Sequence, residues 1–332
     1  MLRRTTAIIL LGIAICLLIS VPVLAFTPLG TNLLGGGKPT PQPTVAPTFL
    51  TFTPVATPKA TPVLTPNGKP PAISANEAIL IDEDSGHILY DLNGEHPQPM
   101  ASTTKIMTAV IAIQTANLDM LVTVHQDAVN EVINNGGSSA NLQVGEQLKL
   151  RDLLYGLLLP SGDDAAIAIA DALGGTTQNF VHVMNLFAYR LRLFQTHYIN
   201  PDGLTYYDAN NHPIPGHYTT AYDLARLAHY AMSLPLFAQI VSTLHYNLPA
   251  SATHNAHSWV NTNTLLTAYS GMTGIKTGFT LEAGACLVFS ATRNGHHLLG
   301  VVLHSSDETH RFNDAELLLN WGFALPLEIP LP

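Results

Sequence analysis

The chain has 332 residues, 47% of them hydrophobic, which is enough for one large domain or two small ones with a well-filled core. Its net charge is −9, but all 23 acidic residues follow residue 72, against nine Lys and Arg there, so that part carries −14. A body this acidic argues against nucleic acid as a partner, because phosphate binding needs a basic surface.

Residues 1–26 have the pattern of an export signal. Arg3 and Arg4 precede an uncharged stretch from Ala7 to Phe26, long enough to span ~30 Å of hydrocarbon as a helix. The tripeptide V-L-A ending at Ala25 resembles a signal-peptidase site. A cleaved signal peptide and a retained membrane anchor fit equally well, and either one places the rest of the chain outside the cytoplasm.

Residues 27–72 are predicted to be an extracytoplasmic linker. Between Lys38 and Pro71 there are ten prolines and eight threonines, a composition that cannot build a core and favours extended polyproline II. At ~3.1 Å per residue this segment reaches roughly 100 Å. We expect a tether that joins the body, residues 73–332, to the N-terminal segment, through which alone the chain would contact a membrane.

The body has strand patterns at both ends and helix patterns between them. Two apolar runs flank Asp84-Ser85-Gly86, which predicts a β-hairpin. A second hairpin is predicted around Asn294-Gly295, in G-A-C-L-V-F-S-A-T-R-N-G-H-H-L-L-G-V-V-L-H. Helices are predicted from about Ser102, over 150–173 with a break at Pro160, over 180–194, over 220–232 and over N-D-A-E-L-L-L-N-W-G-F. This order predicts an α+β fold in which the strands of both ends share one antiparallel sheet.

The stretch A-S-T-T-K-I-M-T-A places Ser102 three residues before Lys105 at a predicted helix start. On one helix face the amine can reach the hydroxyl, and a serine becomes a nucleophile when a neighbouring base takes its proton. The helix N-terminus disfavours a protonated lysine, which makes the amine a better base. Taken alone, the pair is better explained as a helix cap with a solvated lysine.

Two later stretches change the interpretation of that pair. L-L-L-P-S-G-D-D-A-A places Ser161 and Asp163 at a helix start, and G-M-T-G-I-K-T-G-F-T places Lys276-Thr277-Gly278 on a predicted edge strand. The order S-x-x-K, an S-x-N-like triplet and K-T-G is the signature of penicillin-recognising serine enzymes.

The body from about Ile73 to Phe323 resembles the serine-type D-alanyl-D-alanine carboxypeptidases, the low-molecular-mass penicillin-binding proteins. Further stretches carry the resemblance: A-I-L-I-D-E-D-S-G, G-E-Q-L-K-L-R-D-L-L-Y-G, F-V-H-V-M-N, I-N-P-D-G-L, H-Y-T-T-A-Y-D-L-A and N-W-G-F. The resemblance implies a DD-peptidase/β-lactamase-like fold with a helical subdomain. It also implies hydrolysis of peptidoglycan stem peptides ending in D-Ala-D-Ala and covalent inhibition by β-lactams.

The resemblance also assigns roles in catalysis. Ser102 would attack the carbonyl of the penultimate D-Ala with Lys105 as its base, and a covalent acyl-enzyme would form. Ser161 would relay a proton to the departing D-Ala amine. The backbone N–H groups of Ser102 and Phe279 would form the oxyanion hole.

The resemblance further assigns the binding of the substrate's terminal carboxylate. Lys276 and Thr277 of the K-T-G motif, which Gly278 completes, would hold it, together with Arg311, ten residues before Trp321.

Asp163 departs from the family pattern, which has Asn at this position. Asn offers a donor and an acceptor, whereas ionised Asp only accepts. A carboxylate beside Lys105 would favour the protonated amine and weaken it as a base. Asp163 and Asp164 also suit the first turn of a helix. We expect activity with a shifted pH profile.

Two alternatives belong to other functional classes. A serine β-lactamase of class A needs a Glu between the S-x-N and K-T-G motifs for deacylation, and no Glu occurs from Asp164 to Ile275. The pattern E-x-x-x-N at Glu131 to Asn135 precedes Ser161 and is out of order. A wall-binding module without turnover is the other alternative, with the Asp163 change as its cause.

The 15 histidines do not indicate a metal site. His254, His257 and the pair His296-His297 lie in predicted loop or hairpin segments, with no H-E-x-x-H motif or Cys/His cluster beside them. Solvated surface histidines are expected, and neither a metal nor another cofactor is needed for the implied reaction.

Overall fold

A five-stranded antiparallel sheet is the centre of the fold in this computed structural model, which describes residues 63–328. The strands of the whole chain, as described, are β1 (Val63–Leu64), β2 (Glu77–Asp82), β3 (Ile88–Leu92), β4 (Leu121–Thr123), β5 (Gln147–Lys149), β6 (His245–Leu248), β7 (His257–Val260), β8 (Met272–Thr280), β9 (Gly284–Arg293), β10 (His296–Ser305) and β11 (Leu327–Glu328). The central sheet has the order β3-β2-β10-β9-β8.

Strand β2 pairs antiparallel with β10, with Leu80 opposite Gly300. The two ends of the body therefore share one sheet, as the sequence predicted. Both predicted hairpins are present, as β2-β3 and β9-β10. The K-T-G strand, β8, pairs only with β9 in the central sheet and so forms its edge.

Helices cover both faces of the sheet. They are α1 (Lys105–Thr115, preceded by a 3₁₀ turn at Ala101–Thr104), α2 (Gln126–Asn135), α3 (Leu150–Leu158), α4 (Asp163–Gly174), α5 (Thr177–Arg190), α6 (Ala221–Met232), α7 (Pro235–Val241), α8 (Leu265–Ala268) and α9 (His310–Phe323). The predicted break at Pro160 lies between α3 and α4, and Thr220 caps α6 by accepting a hydrogen bond from Asp223 N–H at 3.0 Å. The sequence patterns did not predict α2, α7, α8 or the short strand pairs β4-β5 and β6-β7.

Neighbouring strand residues pack on opposite faces of the sheet. Ile79 lies in the core shared with α1, α3 and α4, whereas Leu80 packs against α9, as the two-residue period of a strand requires. Because helices cover both faces, β2, β9 and β10 are almost continuously apolar. The residues of the core shared with α3 and α4 pack around α1, the helix that follows Ser102.

The predicted export signal and most of the predicted linker lie outside the described residues. The last part of the segment assigned to the linker is described: Val63 and Leu64 pair with Glu328 and Leu327, and Leu64 is buried. Within residues 63–328 no helix is both long enough and apolar enough to span a bilayer.

Candidate active site

Ser102 lies in a tight turn whose shape its neighbours fix. Ala101 has a left-handed φ of 47°, and the Thr104 hydroxyl donates to the Ala101 carbonyl at 2.8 Å. Gly203 lies so close to that carbonyl that a Cβ added at Gly203 would be 1.9 Å from the oxygen. His217 Nδ1 accepts from a backbone N–H, so its Nε2–H donates to Thr104 Oγ1 at 2.7 Å. These contacts hold Ser102 at the start of α1.

The Lys105 amine is within hydrogen-bond distance of the Ser102 hydroxyl. Its Nζ is 2.8 Å from Ser102 Oγ, 2.5 Å from Asp163 Oδ1 and 2.7 Å from the Asp202 carbonyl oxygen. The side chain is fully buried. Three partners match the three N–H donors of an ammonium ion, so the amine must give up a proton before it can accept one from Ser102.

Asp163 is the carboxyl group in contact with that amine. Burial raises the pKa of Asp163, and the attraction of Lys105 opposes the rise without cancelling it. Its Oδ2 atom is buried and has no hydrogen-bond partner. The backbone N–H of Asp163 donates to Ser138 O at 2.8 Å, which joins α4 to the wall of the cleft.

Two further carboxyl groups, those of Asp202 and Glu131, lie near the pair of Lys105 and Asp163. Asp202 is fully buried, and burial together with the charges of Asp163 and Glu131 holds its pKa well above the ordinary value. Burial also raises the pKa of Glu131, against hydrogen bonds from Asn135 and Tyr206. Asp202 is therefore a weaker acid than an exposed aspartate. Glu131 is absent from the residues that line the cleft around Ser102.

Strand β8 forms the opposite wall of the cleft and passes very close to the nucleophile. A Cβ added at Gly278 would lie 3.0 Å from the Ser102 backbone nitrogen, so only glycine allows the strand to approach this closely. Phe279 follows at the mouth of the cleft with 48% of its surface exposed. The backbone of β8 thus runs beside the backbone N–H of Ser102.

Positive charge is concentrated at one end of the cleft. Arg311 is buried, with its Nη1 3.0 Å from Gly278 O and its Nη2 3.1 Å from Glu308 Oε2. Lys276 is also buried and donates to Thr277 O at 3.0 Å. Burial, reinforced by the nearby charges of Lys105 and Arg311, holds the pKa of Lys276 well below its ordinary value. A bound carboxylate would favour the charged form of Lys276.

Ser161 faces Ser102 across the cleft. It adopts a left-handed φ of 69° and is almost fully buried. The cleft has a volume of about 290 Å³. The structure brings all nine predicted residues together: Lys105 and Lys276 lie in the protein beneath the cleft, and the lining includes Ser102, Ser161, Asp163, Thr277, Gly278, Phe279 and Arg311.

Several residues of the site had no signal of their own in the sequence. Thr262 Oγ1 lies 2.7 Å from Thr277 Oγ1, and Glu308 holds Arg311. Leu204 lines the cleft opposite them. Asp202 and Leu204 belong to the I-N-P-D-G-L stretch that was part of the family resemblance, which could have indicated a role. Within residues 63–328 no group of three or more His, Cys, Asp or Glu side chains could hold a metal ion.

The part of the chain that contains this site matches known proteins. The family model described as D-alanyl-D-alanine carboxypeptidase matches residues 65–307. A D-alanyl-D-alanine carboxypeptidase of Streptomyces sp. strain K15 is 38% identical over 267 residues, which cover 77% of this chain and 89% of that one. DacF of Bacillus subtilis strain 168, also named a D-alanyl-D-alanine carboxypeptidase, is 32% identical over 76% of this chain and 63% of its own. This chain therefore spans less than two thirds of the Bacillus protein.

The fold is similar to solved structures as well. The crystal structure of the Streptomyces K15 DD-transpeptidase aligns with a TM-score of 0.72 at 37% identity and covers 78% of this chain and all of that one. The predicted α+β DD-peptidase fold is confirmed by this similarity.

Proposed function

Since the chain belongs to the D-alanyl-D-alanine carboxypeptidase family and is a serine-type hydrolase of that class, we propose that Ser102 forms the acyl-enzyme from peptidoglycan stems ending in D-Ala-D-Ala. The observation that supports this most directly is the 2.8 Å contact between Lys105 Nζ and Ser102 Oγ. A buried amine in contact with a cleft-lining hydroxyl is the arrangement that activates a serine.

The first half of the reaction forms the acyl-enzyme. Lys105, in its free-amine form, accepts the Ser102 proton while Oγ attacks the carbonyl of the penultimate D-Ala. The backbone N–H groups of Ser102 and Phe279 stabilise the oxyanion. The C–N bond then breaks, and Ser161 relays a proton to the leaving amine, so that free D-Ala departs.

The second half consumes water. A water molecule attacks the ester carbon while the Lys105 amine takes its proton. The bond to Ser102 Oγ then breaks, Lys105 returns that proton to Oγ, and the shortened stem leaves with a new carboxyl group. Lys276, Thr277 and Arg311 hold the terminal carboxylate before bond breaking. Arg311 supplies a charge that does not depend on pH, which complements the lowered pKa of Lys276.

Asp163 takes the place of the Asn of the family pattern as the side chain in contact with Lys105. A neutral carboxylic acid offers one donor and one acceptor, as an amide does, whereas a carboxylate only accepts. Burial raises the pKa of Asp163, which makes its neutral form easier to reach than that of an exposed aspartate. The departure from Asn is thus compatible with catalysis.

The enzyme acts outside the cytoplasm, on the cell wall, as its family does. We propose that residues 1–26 export the chain as a signal peptide or retained anchor, that residues 27–72 form the linker, and that residues 73–332 form the catalytic domain. β-Lactams would acylate Ser102 and leave slowly, because the part of the chain from Asp164 to Ile275 lacks the Glu that class A β-lactamases use. The β-lactamase alternative is not favoured.

Labelled penicillin tests the nucleophile. The parent protein and the control Ser270→Ala, at an exposed serine, should form a covalent adduct, and Ser102→Ala should not. The adduct site is read by mass spectrometry of the peptide that contains residue 102. A labelled Ser102→Ala variant would contradict the assignment of the nucleophile.

Release of D-Ala from a muramyl pentapeptide then tests turnover. An acylated but non-hydrolysing protein would support the wall-binding module instead of the carboxypeptidase. The contacts of Lys105 with Ser102 and Asp163 argue against that alternative.

A transpeptidase is the second candidate, because the solved structures of the Streptomyces K15 protein describe it as a DD-transpeptidase. The acyl-enzyme would then be taken by an amine in place of water. Adding glycylglycine to the pentapeptide reaction measures this directly: a carboxypeptidase yields mainly tetrapeptide, whereas a transpeptidase yields the longer peptide product.

A further inference from the structure

The C-terminal end of helix α5 carries three exposed apolar side chains. Leu186 is 46% exposed, Tyr189 72% and Phe194 69%. Leu186 and Tyr189 are three residues apart on one face of the helix. The rings of Tyr189 and Phe194 meet edge to face, with 5.9 Å between their centroids. Single exposed apolar residues are common on soluble proteins, whereas a contiguous group of them is typical of a surface that contacts another molecule.

Three arginines surround this apolar group. Arg190 ends α5 and Arg192 follows it, and both side chains are exposed. Arg226 of α6 lies beside them, since its Nη2 is 3.4 Å from the Leu191 carbonyl oxygen. From Ala172 to Pro201 the sequence contains no Asp or Glu. We call these six residues the α5 patch: Leu186, Tyr189, Arg190, Arg192, Phe194 and Arg226.

The remaining cations of the body have other surroundings. They lie in the catalytic site, in ion pairs with Asp119 or over aromatic rings, and are Lys105, Lys276, Arg311, Lys149, Arg151 and Arg293. Within residues 63–328 the salt bridges of Lys and Arg involve none of the three arginines of the α5 patch. The described part of this acidic body therefore gathers three arginines without carboxylate partners beside exposed aromatic rings.

We propose that the α5 patch docks the catalytic body on the anionic surface of a lipid bilayer. Arginine binds lipid phosphates through bidentate hydrogen bonds. Its aliphatic stem and the rings of Tyr189 and Phe194 enter the boundary between headgroups and acyl chains, where amphipathic side chains are stable. The net negative charge of the body is repelled by the same surface, so the patch determines which side of the body faces the lipid.

The apolar members of the patch distinguish a bilayer from a soluble polyanion. A phosphate polymer is attracted by the arginines alone and offers nothing that covers Leu186 and Phe194. A lipid interface offers phosphate and hydrocarbon within about 5–10 Å of each other, which matches a patch that carries both kinds of side chain.

The docking adds a second membrane contact to the one predicted for residues 1–26. A linker that reaches roughly 100 Å leaves the body free to move away from the membrane, whereas the α5 patch holds it at the lipid surface. This contact does not depend on which reaction Ser102 performs.

Vesicle co-sedimentation of residues 63–332 tests the docking. This part is used so that residues 1–26 do not insert into the vesicles. The solved Streptomyces structure is covered completely by its alignment with this chain, so a body of this kind folds by itself. Vesicles of equal parts phosphatidylglycerol and phosphatidylcholine should bind the parent about 100-fold more tightly than phosphatidylcholine alone, at about fivefold for each of the three arginines.

Variants separate the charged from the apolar contacts. Arg190→Gln combined with Arg192→Gln should weaken binding to the anionic vesicles by about 25-fold, and the corresponding double Lys variant should retain most of it. The matched control Lys149→Gln with Arg151→Gln removes the same charge from another surface and should leave binding unchanged. Phe194→Ala should weaken binding by about tenfold, the effect of one apolar side chain leaving the interface.

Three results would overturn the docking. They are absence of parent binding to the anionic vesicles, equal parent binding to both kinds of vesicle, and equal losses in the two double Gln variants. Unchanged binding in Phe194→Ala, with the same arginine dependence for soluble polyphosphate as for vesicles, would show a general polyanion site and also reject the proposal. Urea unfolding midpoints equal to that of the parent show that a variant which loses binding is still folded.

Discussion

Replacing Asp163 by Asn tests how the lysine is activated. The carboxylate lies 2.5 Å from Lys105 Nζ, and both side chains are almost completely buried. It stabilises the ammonium form, in which Lys105 cannot accept the Ser102 proton. Asn removes the negative charge but keeps the size and the hydrogen-bonding capacity of the side chain. Without that charge the free amine of Lys105 should form more readily.

The magnitude follows from the interaction of two unit charges. At about 4 Å and an effective dielectric constant of ~20 they attract by roughly 4 kcal/mol, or about three pH units at ~1.4 kcal/mol per unit. Burial raises the pKa of Asp163 and so favours its neutral form, which reduces the attraction. We expect the acidic limb of the pH–rate profile to move down by about one to three units in Asp163→Asn.

The assay is the rate of Ser102 acylation by a chromogenic β-lactam, measured from about pH 4 to about pH 9, a range in which perturbed carboxyl and amine groups titrate. Below the limb of the parent, the variant should be faster by about tenfold for each unit of the shift. Asp119→Asn is the control, because Asp119 pairs with Lys149 and Arg151 on the surface and should leave the profile unchanged. Coincident limbs for Asp163→Asn and the parent, or an upward shift, would refute the reasoning.

Three further outcomes are expected. Arg311→Gln should lower kcat/KM for D-Ala release by about 10- to 100-fold, the effect of losing one charged hydrogen bond, and most of this loss should be a rise in KM. An unchanged KM would show that Arg311 does not bind the substrate carboxylate. Gly203→Ala should lower the free energy of unfolding by about 2–5 kcal/mol, because its Cβ would clash with Ala101 O. The control Gly175→Ala has a left-handed φ but open space around it, so it should lower the free energy of unfolding by only about 1 kcal/mol. Equal losses for the two variants in urea unfolding would contradict this. Burial lowers the pKa of His217 from 6.5 to about 3, so below pH 6.5 the unfolded chain binds a proton that the native state does not. Stability should fall by about 1.4 kcal/mol per unit as the pH drops between these values, and His217→Gln should lose this contribution; equal pH slopes for the two proteins would exclude it.

Local patterns predicted the parts of the fold that depend on local physics. The apolar runs around Asn294-Gly295 specify a hairpin because a two-residue turn determines which strands can pair. Pro160 separates two helices because it cannot donate a backbone hydrogen bond. The short strands β4 to β7 and the short helices α7 and α8 gave no comparable signal, since they form through tertiary contacts.

The sequence also indicated that Asp163 would meet Lys105, but only through the family pattern. The two residues are 58 positions apart, and the Asp202 carbonyl that completes the amine's contacts is 97 positions from it. No periodicity links residues at such separations. The raised pKa of Asp202 likewise depends on complete burial, which the sequence does not display.

By itself, the sequence determined the chemistry: a serine with a lysine three residues later, a second serine motif and a K-T-G strand, in the order that one enzyme family uses. These are properties of side chains and of short segments, so they are present before folding. The tertiary structure determined how readily the buried groups of the site gain or lose a proton. Burial changes the proton affinity of Asp163, Asp202 and Lys276 because it removes water from their charges.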